Sequence, residues 1–193
     1  MISQSNIEKT DSILSAALRL FVKYGFHGTP TSRIATEAGV SNGTLFHYFK
    51  TKDELIVALY IRVKEQLNAY LAEHQDEKDD VRVRFRNIFV HSINWSLKNR
   101  EEFYFIQQFH FSPMLALVPA DEFERQSKIH VGLMQEAVKQ KILKPLPIEL
   151  IATLVSSQIY GLHQYLVGSD LSVGKQQKMI EAALELTLEM ILK

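Results

Sequence analysis

Leu14, Ala17, Leu18 and Phe21 recur at i, i+3, i+4 and i+7, a spacing that predicts an amphipathic helix ending near Tyr24-Gly25. Ser5-Asn6-Ile7-Glu8 ahead of it has the pattern of a capping box. After the breaker-rich Gly25-Phe26-His27-Gly28-Thr29-Pro30, Thr31 can cap a second, short helix with Ile34, Ala35 and Ala38 facing inward and Gly39 marking its end. Val40 and Ser41 lead to a third short helix, Asn42 to Phe49, in which Leu45 and Phe49 share a face and Asn42, Thr44, His47 and Tyr48 occupy others. Asn42-Gly43 is also a hairpin signal, but the residues before it keep a helical period, which excludes a strand there. Thr51-Lys52-Asp53-Glu54 is a further capping box and opens a long helix with Leu55, Leu59, Val63, Leu67, Tyr70 and Leu71 on its inner stripe.

The charged stretch Gln75 to Asp80 ends that helix. Amphipathic helices follow over residues 80–97, 100–111, 120–141, 147–167 and 174–192, separated by Pro113, Pro119, the Pro145-Leu146-Pro147 break and Gly168-Ser169-Asp170. No internal repeat, low-complexity tract or sustained alternation competes with these periods. The fold class expected is therefore all-α, with about nine helices. The last two are the richest in aliphatic side chains: Ile151, Leu154, Val155, Ile159, Leu162 and Leu166, then Ile180, Ala183, Leu184, Leu188, Ile191 and Leu192. Helices of that kind close a core or bury a partner.

Composition narrows the class further. The chain has 193 residues, enough for one large domain or two coupled ones, and 8 Gly and 5 Pro make it poor in turn formers. With no Cys, disulfides, thiolate zinc sites and cysteine nucleophiles are excluded, and a reducing, cytoplasmic setting is the expectation. No apolar run approaches the roughly 18 residues that span a bilayer, and the first six residues lack the pattern of a secretion signal. Net charge is zero, yet residues 1–52 carry six basic side chains against three acidic ones, which leaves that segment at +3 and the rest at −3. A basic head on an acidic body hints at a polyanionic partner.

Two short helices joined by a tight turn and packed on a longer first helix form the arrangement that a helix-turn-helix uses to enter the major groove. Ile34, Ala35, Ala38, Val40, Leu45 and Phe49 can form the small core that fixes the crossing angle, freeing the opposite face of residues 42–48. The run from Thr31-Ser32-Arg33-Ile34-Ala35-Thr36-Glu37-Ala38-Gly39-Val40 through Ser41-Asn42-Gly43-Thr44-Leu45-Phe46-His47-Tyr48-Phe49-Lys50-Thr51-Lys52-Asp53-Glu54-Leu55 resembles the signature of TetR-family transcriptional regulators. The resemblance extends from about Ile7 to Leu59 and implies a homodimer that binds double-stranded operator DNA under the control of a small molecule. It places Thr31, Ser32, Asn42, Gly43, Thr44, Phe46 and Tyr48 at the DNA, with Lys52 on a phosphate. Phe46 departs from the tyrosine common in the family, so a hydroxyl contact is replaced by an apolar one. The chemistry of the residues agrees: Asn42 can donate to and accept from adenine, Thr44 can touch a base, a phosphate or a thymine methyl, and Gly43 permits close backbone approach.

The expected domains are residues 1–52, the DNA-binding head, and 53–193, a helical effector-binding and dimerisation body. Phe103 to Phe111 is aromatic around most of its helix and is expected to be buried on several sides. Its rings either pack an ordinary core or line an apolar cavity. Phe89, His91, Trp95, Phe105, Phe109, His110, Gln158 and His163 are the candidate lining residues. The histidines show no i, i+4 pairing and no HExxH, so no metal site is expected; nor is there a GxSxG, P-loop or GxGxxG pattern. No catalytic residue and no cofactor are assigned. The function expected is that of a sequence-specific repressor, dimeric through the last two helices and released by a small apolar or aromatic ligand. Its rivals are an activator or ligand-independent DNA-binding protein, and a helical ligand-binding or enzymatic domain that has lost DNA binding.

Overall fold

The computed structural model describes residues 4–193, with side chains described from residue 6 onward. Among them are nine α-helices: α1 (Gln4–Tyr24), α2 (Thr31–Glu37), α3 (Asn42–Tyr48), α4 (Lys52–Ala72), α5 (Val81–Lys98), α6 (Arg100–His110), α7 (Ala120–Lys139), α8 (Ile148–Val167) and α9 (Val173–Ile191). A short 3-10 segment, Pro113–Leu117, was not foreseen; Ser112 caps it by accepting from Met114 N at 3.2 Å. No helix of the described residues is long and apolar enough to cross a membrane.

Several ends differ from expectation. α1 already includes Gln4, upstream of the capping box expected at Ser5, whose side chain lies outside the described ones. Thr31 is the first residue of α2 rather than its cap, because Pro30 takes the capping position with extended backbone and its carbonyl accepts from Arg33 N. The cap expected at Thr51 forms, and an unforeseen one is added at Asp80. Thr51 Oγ1 accepts from Glu54 N at 3.0 Å, but the returning Glu54 carboxylate takes Lys50 N, one residue upstream of the usual partner. Asp80 closes the charged linker by accepting from Arg82 N and Val83 N at the start of α5.

The chain forms two compact units. The first comprises residues up to Lys64 together with Arg100–Glu122, and the second comprises Glu65–Asn99 with Phe123–Lys193. In the first, α1 packs on α2 and α6, and α2 packs on α3. Ile13, Ala17 and Phe21 of α1, Ile34 of α2, Leu45 of α3, and Leu55 and Leu59 of α4 are each almost fully buried. Aromatic rings tie α6 into it: Phe105 stacks on Phe21 at 6.4 Å and meets Phe26 edge-on at 5.8 Å, while Tyr60 of α4 stacks on Phe109 at 4.0 Å. Ring pairs of this kind stabilise by roughly 0.5–1.5 kcal/mol beyond the area they bury. Phe105 and Phe109, read from sequence as lining for a cavity, are packed in the core of the unit that carries the helix-turn-helix.

In the second unit α5 packs on α8 and α9, which also pack on each other. Phe85, Phe89, Ile93, Leu133, Ile151, Val155, Ile180, Leu184 and Ile191 belong to its core. Ion pairs cross it between Arg84 and Glu136, Arg86 and Glu181, and Arg125 and Glu65. Lys144 donates to the carbonyls of Glu189 and Met190, satisfying the exposed end of α9 with a positive charge where the helix dipole favours one.

Candidate nucleic-acid interface

The turn between α2 and α3 depends on one glycine. Gly39 has φ +69°, the left-handed region, and there Gly39 N donates to Thr36 O while Val40 N donates to Ala35 O, the bond pair of a Schellman end. A β-carbon at Gly39 would be strained by that backbone even though the space around it is open. Ser41 then starts α3: its Oγ accepts from Thr44 N at 3.0 Å and lies 2.8 Å from Thr44 Oγ1. Thr44 therefore has a local role as well as the DNA contact the resemblance assigns it. On the incoming side, the buried Thr29 hydroxyl lies within reach of both Leu20 O and Gly25 O, holding the α1–α2 loop in place.

Leu45 and Phe49 are buried beneath α3, whereas Asn42, Gly43, Phe46 and His47 are exposed. At 100° per residue these four form one continuous outward face, with Thr44 and Tyr48, both half-buried, on its flank. The structure thus brings together Asn42, Gly43 and Phe46 as expected and adds His47, which the sequence left as an ordinary surface residue. Gly43 has no structural need to be glycine, since a β-carbon there would meet only Ser41 Oγ at 3.8 Å. Tyr48 is less available than its sequence position suggested: its hydroxyl donates to Asn6 Oδ1 of α1 at 2.8 Å.

Thr31 is half-buried and Ser32 exposed at the start of α2. Lys52, half-buried in the first turn of α4, has its ammonium pKa lowered by burial, partly offset by Asp53. A basic pair that the sequence reading missed flanks the Tyr24 ring, Lys23 from the end of α1 and Arg33 from α2. The Arg33 guanidinium sits 4.1 Å from the Tyr24 ring centre and donates to its hydroxyl at 2.9 Å, and Lys23 Nζ lies 5.2 Å from the same ring. Lys23 and Arg33 together lower the Tyr24 pKa, the Lys23 hydrogen bond most of all. The signal was present only as one aromatic and two basic residues distributed over two helices, with no local period to connect them.

The residues read as ligand-lining are divided between the units. Phe105, Phe109 and His110 lie in the first. In the second, Phe89 and Trp95 are buried, His91 is half-buried with its Nδ1 unpaired, and Gln158 is exposed on α8. His163 Nδ1 lies 2.8 Å from Ser96 Oγ, whose own proton goes to Ile93 O, so the imidazole carries its proton on Nδ1 and donates. Among the described residues no group of three or more His, Cys, Asp or Glu is placed to hold a metal.

The family model for "Bacterial regulatory proteins, tetR family" matches residues 13–59, from the middle of α1 through the first turns of α4. Over 73 residues the chain is 45% identical to the Escherichia coli HTH-type transcriptional regulator RutR, covering 37% of this chain and 32% of that protein. It is 30% identical over 86 residues to the Bacillus subtilis fatty acid metabolism regulator protein, 44% of this chain and 43% of the other. The match thus spans less than half the length of these relatives. Whole-chain likeness comes from solved structures: a crystal structure assigned to the tetR family of transcription regulators, from Shewanella sp. PV-4, superposes with TM-score 0.88 at 27% identity, covering 96% of this chain and 98% of that one. A second, from Marinobacter aquaeolei VT8, shares the fold with TM-score 0.81 at 23% identity and 98% coverage of both.

Proposed function

This chain belongs to the TetR family of bacterial regulatory proteins, and from that premise we propose that it is a sequence-specific, homodimeric repressor released from operator DNA by a small apolar or aromatic molecule. The observation that carries the DNA-binding part is the outward face of α3. Four exposed residues, Asn42, Gly43, Phe46 and His47, stand over the buried Leu45 and Phe49 at the open end of a helix-turn-helix. In the major groove Asn42 pairs with an adenine edge, Phe46 lies against sugar or a thymine methyl, and Gly43 lets the backbone come close. Thr31, Ser32, Thr44, Tyr48 and Lys52 orient the head on the phosphates, with Arg33 and Lys23 as added basic groups.

Dimerisation is assigned to α8 and α9. Leu150, Tyr165 and Val167 of α8 and Val173 and Leu186 of α9 are exposed in the single chain, in support of a second copy there. A two-fold pair would set its recognition helices on successive major grooves, roughly 34–36 Å apart. A ligand that favours another spacing by about 1–3 kcal/mol would release the DNA, and DNA would weaken the ligand by the same amount. Functionally the division falls at residue 52, with 1–52 reading DNA and 53–193 sensing and dimerising in the cytoplasm, even though α6 packs within the compact unit that holds the head.

The test is selection of bound duplexes from a random pool, followed by fluorescence anisotropy of the selected and scrambled duplexes at about 150 mM salt. Tight binding to the selected duplex alone is the result expected. Equal, weak binding to both would mean that this head does not read sequence.

A further inference from the structure

Tyr24, at the end of α1, gathers two cations on one exposed ring. The Arg33 guanidinium lies over it, 4.1 Å from the ring centre, and its Nη2 donates to the Tyr24 hydroxyl at 2.9 Å. Lys23 Nζ stands 5.2 Å from the same centre and is hydrogen-bonded to the same hydroxyl. The stack and the hydroxyl bond together hold the guanidinium in one plane and one direction. Little side-chain freedom is then left to lose when its other N–H groups meet an acceptor.

That acceptor is missing from the chain itself. Of the three arginines on α1 to α4, Arg19 pairs with Glu37 at 3.1 Å and Arg62 with Asp11 at 3.0 Å. No carboxylate among the described residues reaches Arg33 or Lys23. Nor does the Tyr24 hydroxyl donate to any described residue. Two positive charges with N–H and O–H donors and no matching acceptor are complementary to an oxyanion. Position decides which one. Arg33 is exposed on α2, the first helix of the helix-turn-helix, and that helix crosses the sugar–phosphate backbone while the second enters the groove. We propose that Lys23, Tyr24 and Arg33 form one preassembled clamp for a backbone phosphate of the bound duplex, with Tyr24 as the positioning residue that acts through Arg33. The contact is additional to that of Lys52 on α4. The planar guanidinium meets phosphate oxygens with its free N–H groups, Lys23 adds a point charge, and none of the three reads a base, so the clamp strengthens every duplex alike.

This assignment deepens the reading of the chain as a DNA-binding regulator and rests on it, and the experiment separates the two. Full-length native protein, Arg33→Gln, Tyr24→Leu, Tyr24→Phe and each Tyr24 variant combined with Arg33→Gln are titrated by anisotropy with the selected and scrambled duplexes. The selected duplex is also prepared with each phosphate of a half-site replaced in turn by a neutral methylphosphonate. Arg33→Gln is expected to weaken both duplexes about tenfold and to reduce the slope of log affinity against log salt by roughly 1 per subunit. At one methylphosphonate position per half-site the native protein should lose affinity and Arg33→Gln should not. Tyr24→Leu should weaken binding a few-fold only while Arg33 is present, and Tyr24→Phe, which keeps the ring, should do so to a smaller extent with the same dependence. An unchanged slope in Arg33→Gln, no methylphosphonate position that distinguishes it from the native protein, or Tyr24 effects of equal size with and without Arg33 would overturn the proposal. A native chain that binds no duplex would overturn the regulator reading and the clamp with it. One that binds selected and scrambled duplexes alike, with both weakened by Arg33→Gln, would refute sequence reading and leave the clamp standing.

Discussion

The Tyr48 hydroxyl donates to Asn6 Oδ1 at 2.8 Å and ties the end of α3 to the first turns of α1, 42 residues earlier. That bond fixes the angle at which the outward face of α3 is presented. Asn6→Ala and Tyr48→Phe each remove it and should weaken binding to the selected duplex by a few-fold, the effect of about 1 kcal/mol. Because both delete the same interaction, the double variant should lose little more than either alone. Full additivity in an anisotropy double-mutant cycle would mean that the two residues act on DNA independently.

Gly43 gives opposite expectations for stability and for binding. Gly43→Ala places a methyl in ordinary contact distance of Ser41 Oγ and nothing else, so the helix should gain up to about 1 kcal/mol, seen as a higher urea midpoint. Duplex affinity should fall, since the methyl stands on the exposed face that approaches the groove. An alanine variant that is both more stable and equally tight would remove Gly43 from the interface.

Lys52 contributes charge rather than sequence. Lys52→Ala should weaken selected and scrambled duplexes to a similar degree and reduce the slope of log affinity against log salt by roughly 2 per dimer, about 1 for each lost phosphate contact. An unchanged slope would mean that this ammonium does not neutralise a phosphate.

Phe105 and Phe111, six residues apart, should respond very differently to truncation. Phe105 is fully buried between Phe21 and Phe26, and its replacement by alanine should cost about 3–5 kcal/mol. Phe111 is 75% exposed in the single chain, and Phe111→Ala should change thermal unfolding by less than about 0.5 kcal/mol. A large loss at Phe111 would indicate a partner surface over it.

Acid should destabilise the protein through its half-buried imidazoles. Burial first, with His74 and Lys98 behind it, lowers the His91 pKa; burial and then Lys64 lower that of His110. Both are thus neutral when folded and take up protons more readily when unfolded. Stability should be fully present above the unfolded histidine value of about 6.5 and fall as pH drops through and below it. His91→Gln should flatten part of that decline in denaturation curves recorded between about pH 5 and 8; an unchanged curve would place the proton uptake elsewhere.

Much of the local structure was written in short range. The period of Leu14, Ala17, Leu18 and Phe21, the Thr51–Glu54 cap and the Gly39 turn each involve residues within seven positions of one another, and each forms its element in the structure. The face of α3 was legible for the same reason, apart from His47. Partnerships between distant residues were not. Aromatic richness alone could not say that Phe105 and Phe109 pack with Phe21, Phe26 and Tyr60, that Tyr104 and Phe111 of the same segment remain exposed, or that Tyr48 is held by Asn6.

What the sequence by itself determined was the set of α-helices, the Thr51 cap, the helix-turn-helix and the resemblance to the family, because those follow from backbone hydrogen bonds and spacing along one chain segment. Only the tertiary structure decided which rings share a core and that the Tyr48 hydroxyl is held by Asn6. Burial and electrostatic proximity are properties of several segments brought together, and no single segment encodes them.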